Sequence, residues 1–157
     1  MHKLDFMLGD WEGDGWIVMG PGERRTFHQT ETIRTAAGGT VLIIDGLGKG
    51  TDPGREGAVV HQAFAIVSYD SATAAFKWRA FIASGQETVA TPEIGDHRLV
   101  WGMDVGPAAH ASHILFTIQI TPEGAWHEVG DFLPPGAASD AAGTRFFEMT
   151  LRRSQPR

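Results

Sequence analysis

Five polar residues stand at strand-like spacing among apolar neighbours: Gln29, Glu31, Arg79, Glu128 and Glu148. Gathered inside a β protein, they would form a polar cluster that orients one end of a ligand. A buried Arg79 would hold a carboxylate in bidentate fashion. An interior Glu or His would serve as an acid–base group for isomerisation or hydrolysis, provided desolvation raised the carboxyl pKa. The alternatives are a structural Glu–Arg pair or solvent-facing charges, because charged side chains are seldom fully buried.

Other chemistries have less support. Of seven histidines, His110 and His113 flank a loop-to-strand junction, and the carboxylates nearest them are Asp104 and Glu123. A histidine pair without a third ligand is weak evidence for a metal, and no HExxH motif is present, so no metal site is expected. His61 and His127 lie in strands and could titrate near neutral pH, although ordinary half-buried strand histidines explain both. There is no Gly-x-Ser-x-Gly elbow, and Ser68, Ser84 and Ser112 are not marked as nucleophiles. The stretch Gly46–Thr51 looks superficially like a phosphate loop but lacks its spacing and following helix. With no cysteine, thiol catalysis, thiolate metal sites and disulfides are excluded. The net charge of −6 with no Lys/Arg stripe argues against nucleic acid as a partner. No cofactor is expected.

The elements that must position these residues are strands. The 157 residues form one domain, 1–157, and 42% apolar content suffices for a core. No apolar run approaches a bilayer span, so no membrane partner is expected. The N-terminus lacks the pattern of a secretory leader, and cytoplasm is the expected compartment. The opening Gly9-Asp10-Trp11-Glu12-Gly13-Asp14-Gly15-Trp16 follows a short helical turn over 2–8 that would plug one end of a barrel. Alternation and turn signals then predict ten strands: 11–19, 24–35, 40–48, 58–69, 75–83, 86–91, 97–104, 112–121, 125–133 and 144–153. Loops are expected at 49–57, 92–96, 106–111 and 134–143, and the tail 154–157 should fray. Short sequential hairpins predict an all-β, antiparallel up-and-down barrel that is closed.

Along the second strand Phe27, Gln29, Glu31 and Ile33 share one face, which is placed inward because its ends are apolar. In the fifth strand Phe76, Trp78, Ala80 and Ile82 alternate with Lys77, Arg79, Phe81 and Ala83, and both faces are partly apolar. The last strand has the same ambiguity. Either Phe146, Glu148, Thr150 and Arg152 point inward, or Phe147, Met149 and Leu151 do. The first choice leaves an apolar outer stripe suited to a homodimer contact. The tryptophans Trp11, Trp16, Trp78, Trp101 and Trp126 are most simply core, and Trp101 is assigned to the ligand-facing set.

Gly9-Asp10-Trp11 at the start of the first strand, with Arg152 and Arg153 at the end of the last, resembles the lipocalin and fatty-acid-binding-protein group (calycins). That resemblance implies a barrel floor in which Trp11 is covered by a basic side chain, assigned to Arg152. Phe6–Gly13, Gln29–Arg34, His61–Asp70 and Phe146–Arg153 look like a bacterial family of uncharacterised lipocalin-like proteins (DUF1579), which implies a fold but no activity. Gly9, Trp11, Gly13 and Gly15 are more distantly similar to the opening of nitrobindins, ten-stranded haem barrels. Matching the ends puts Phe146 at their axial histidine, so the resemblance does not carry the haem ligand. The function expected is interior binding of a small apolar or amphipathic molecule, with an acid–base enzyme on the same barrel as the alternative.

Overall fold

The structure, a computed structural model, describes residues 1–106, 111–134, 137 and 142–154. The expected loops at 106–111 and 134–143 and the tail therefore lie largely outside the described residues. After a 3-10 turn (His2–Met7) come β1 (Gly9–Val18), β2 (Arg24–Ala36), β3 (Val41–Gly50), β4 (Val59–Asp70) and β5 (Ala75–Ile82). Then follow β6 (Glu87–Ala90), β7 (Glu93–Gly95), β8 (Arg98–Val105), β9 (Ser112–Ile120), β10 (Trp126–Leu133) and β11 (Thr144–Arg153). All pairings are antiparallel. One sheet runs β6-β5-β4-β3-β2-β1-β11-β10-β9-β8-β7. Consecutive strands therefore neighbour one another except β6 and β7, which lie at the two ends of the sheet, and β1 joins the two ends of the chain by pairing with β11.

Two expectations are corrected here. Among the described residues there are eleven strands, not ten, and their ladder is not closed by hydrogen bonds. The segment expected to be one strand and a loop is split at Thr91-Pro92, where proline offers no N–H. Its first half, β6, pairs with β5, and its second half, β7, pairs with β8. The curled sheet is joined across this gap by the chain itself. A side-chain contact, Thr88 Oγ1 to Met103 Sδ at 3.1 Å, also ties β6 to β8.

Alternation decides what faces in. On β2, Phe27, Gln29, Glu31 and Ile33 are all buried. On β5 the inward side is Trp78 and Ala80, whereas Lys77 and Arg79 face solvent. On β11 it is Phe147, Met149 and Leu151, each almost fully buried. The outer side of β11 carries Glu148, Thr150 and Arg152, so the apolar outer stripe proposed for a homodimer is absent. A bulge between Gly130 and Asp131 leaves Phe146 unpaired, and it is buried against Phe116 and Phe132 at ring distances of 5.7 and 4.5 Å.

The same parity corrects the floor. Arg153, not Arg152, stacks on Trp11, with its guanidinium 4.3 Å from the ring centroid. It donates to the carbonyls of Leu8 and, at 3.2 Å, of Phe6, while the Trp11 indole donates to Met7 O at 2.8 Å. One arginine thus fastens the N-terminal turn under the barrel. Arg153→Ala should lower stability by ~1–2 kcal/mol in urea unfolding, from the lost cation–π and carbonyl contacts. Arg152→Ala, on the outer face opposite Glu12, should stay within about 0.5 kcal/mol.

Candidate functional site

The barrel encloses a cavity of about 230 Å³. Its room comes from small residues on adjoining strands: Ala63 and Ala65 on β4 and Ala80 on β5 line it. On β3, Gly46 and Gly48 lie directly beneath two long polar side chains of β2. A Cβ at Gly46 would stand 2.6 Å from Glu31 Oε2, and one at Gly48 would strike the Gln29 amide oxygen. The absent side chains are therefore what allow Gln29 and Glu31 to fit inside.

Three titratable side chains line the cavity: Glu31 on β2, His61 on β4 and Glu128 on β10. Gln29 Nε2 donates to Glu31 Oε1 at 2.7 Å, and the Trp126 indole donates to Glu128 Oε2 at 3.1 Å. His61 Nδ1 stands 3.4 Å from Gln29 Oε1. Among the described residues, Glu31 Oε2 is buried without a partner, as are the indole nitrogens of Trp78 and Trp101. The opposite wall is aromatic: Trp78 stacks on Trp101 at 4.9 Å, and Trp101 on Phe116 at 4.5 Å.

Burial dominates the electrostatics. It raises the Glu31 pKa to about 8, with the Glu128 charge adding to the rise and the Gln29 hydrogen bond opposing it. Burial also lifts Glu128 to about 7 against the Trp126 hydrogen bond. His61 is pushed down to about 4, so its imidazole is neutral at ordinary pH. Near neutrality Glu31 keeps its proton while Glu128 is poised to lose its own. The site thus holds a hydrogen-bond donor and a potential anion in one largely apolar cavity.

Of the residues singled out in the sequence, Glu31, Trp101 and Glu128 line this cavity, and Gln29 buttresses it. Arg79 does not reach it. It lies outside β5 and pairs with Glu87 at 3.0 Å, because Trp78 and Ala80 hold the inward face. Glu148 is likewise outside, 2.9 Å from His127 Nε2, because Phe147 and Met149 take the interior. His61 and Trp78 complete the site, although neither was assigned to it. His61 shares a strand face with Ala63, Ala65 and Val67, and that small, apolar face was the available signal. His113 pairs with Asp104 at 2.8 Å on the outer face, and His110 lies outside the described residues. Among the described residues no three His, Asp or Glu side chains converge as a metal site. Haem does not fit: the cavity lies below the ~300–1,000 Å³ of ordinary small-molecule sites, and Phe146 is packed among other aromatics.

Fold and site define an antiparallel up-and-down barrel with a largely apolar interior cavity and a buried carboxyl pair. No protein-family model and no curated protein matches the sequence. Among solved structures, the chain is similar to the crystal structure of Rv2717c from M. tuberculosis, with a TM-score of 0.66 and 12% identity. The match covers 98% of this chain and 96% of that one. At that identity the likeness shows the fold alone. Among the described residues no helix is long and apolar enough to cross a membrane.

Proposed function

We propose that the barrel binds a small, largely apolar or amphipathic molecule in its interior, with the polar end against Glu31 and Glu128. The observation that carries this reading is a cavity of about 230 Å³ whose apolar walls meet a buried carboxyl oxygen, Glu31 Oε2, that has no partner. Buried polar atoms are nearly always satisfied, so an orphaned one at a cavity calls for a guest. The volume is roughly the share of eight water molecules, which suits one ring with a short substituent. Placement with the lipocalin-like proteins that the sequence resembles belongs to the same proposal.

The test uses intrinsic fluorescence, since Trp78, Trp101 and Trp126 all line the cavity. Titration with 2-phenylethanol should change the emission saturably. Ala65→Leu, which fills the cavity from β4, should weaken that binding by about tenfold or more. Equal binding by both proteins would place the molecule outside the barrel.

A second reading has its own support. An acid and a base lining one largely apolar cavity are an arrangement that proton-transfer enzymes use. On this reading Glu31 donates a proton and Glu128 accepts one during an isomerisation or hydrolysis.

A further inference from the structure

We propose that the molecule held in this cavity is a small organic cation, an amine whose ammonium group sits between Glu31 and Glu128. The inference rests on the interior-binding reading above and names its ligand class.

Buried carboxyl groups are tolerated when they are paired. Here two of them share one cavity, and no Lys or Arg is among the described residues that line it. The one basic residue among the described lining, His61, is half-buried and has its hydrogen-bond contact with Gln29, not with a carboxyl. Glu31 has one oxygen on Gln29 and one on nothing. Glu128 has one oxygen on the Trp126 indole. Once both carboxyls are ionised, the described lining is rich in acceptor capacity and supplies no cation to balance them. An ammonium has three donors and no acceptor, which matches that shortfall. The stacked rings of Trp78, Trp101 and Phe116 add flat apolar surface for the body of such an amine. The indole N–H groups of Trp78 and Trp101, also unpartnered, would be met by an oxygen on that body. A hard metal ion is a poorer match, because calcium takes about six to eight oxygens and magnesium about six.

Proton balance gives the proposal a distinctive signature. Glu31 faces Gln29 on its own strand and Glu128 from β10, His61 stands beyond Gln29 on β4, and Asp45 acts on it from the outer side of β3. An arriving ammonium favours the ionised form of both carboxyls, so binding near neutral pH releases a proton to buffer.

Calorimetric titration of the wild-type protein with 2-phenylethylamine and its neutral isostere 2-phenylethanol, in phosphate and in Tris at neutral pH, tests this. The amine should bind about tenfold or more tightly than the alcohol. Its enthalpy should differ between the buffers in the sense of proton release. Glu31→Gln, or Glu128→Gln should the first variant not fold, should weaken the amine far more than the alcohol and so remove the preference for the amine. Equal or tighter binding of the alcohol, or amine binding with no proton released, overturns the amine assignment while leaving interior binding intact. Failure of both molecules to bind overturns the two readings together.

Discussion

Raising the pH from 6 to 8 should lower the unfolding temperature of this protein, and the double substitution Glu31→Gln, Glu128→Gln should remove most of that loss. In the folded chain Glu31 and Glu128 hold their protons up to about pH 8 and about pH 7. In the unfolded chain both release them near pH ~4.3. Between those limits the folded state binds more protons, so stability falls as pH rises. The slope is about 1.4 kcal/mol per pH unit for each carboxyl. His61 acts in the opposite sense, because its folded pKa is depressed to about 4. Its contribution is lost as pH falls from about 6.5 to 4 and is constant above that range. One carboxyl is therefore offset below pH ~6.5, both act together between ~6.5 and ~7, and the curve flattens above ~8. The exposed carboxylates with lowered pKa, such as Asp70 on Lys77, act only at lower pH. Thermal melts across pH 5 to 9 check the whole shape. A wild-type unfolding temperature that is flat or rising from pH 6 to 8 would contradict it.

Gly13→Ala should be the most damaging single methyl addition in the barrel. Gly13 lies on the inner face of β1, opposite Leu151 on β11, at the seam that joins the first and last strands. A Cβ there would overlap the Thr150 carbonyl oxygen and come within 2.9 Å of Leu151 Cα. Those are backbone atoms, so no rotamer change relieves the clash. The seam must open or the register must shift. The cost should be ~3 kcal/mol or more, at or beyond the upper end of ordinary overpacking, lowering the melting temperature by roughly 6–12 °C. Gly22→Ala, whose Cβ meets open space, is the comparison, since its penalty comes only from a φ of 74°. Equal melting temperatures for wild type and Gly13→Ala would show that the β1–β11 seam is not packed as described.

How far the sequence reached depended on how sharply each strand alternates. β2 was legible because its inner face is bounded by Phe27 and Ile33 and its outer face is nearly all Thr, His and Arg. That pattern alone places Gln29 and Glu31 inside. β5 and β11 were not legible, since apolar residues occupy both faces and period alone does not choose between them. Arg79, Glu148 and the floor arginine all depended on that choice. In β11 the bulge opposite Gly130 buries two consecutive aromatics, Phe146 and Phe147, which no strict alternation allows. The break at Thr91-Pro92 hid β7, because three residues after a proline read as a loop. His61 was marked only by the small, apolar face it shares with Ala63, Ala65 and Val67. Its role comes from Gly46 and Gly48 leaving space on the neighbouring strand, a tertiary fact that β4 alone does not encode.

The most direct test of interior binding is a ¹H–¹⁵N spectrum of the protein with and without millimolar 2-phenylethanol, read at the five tryptophan indole N–H resonances. Trp78, Trp101 and Trp126 line the cavity. Trp11 is tied to Met7 in the floor, and Trp16 lies outside beneath Arg24. The account predicts shifts at the first three and none of comparable size at the other two. Shifts confined to Trp16, or no indole shift at all, would contradict it.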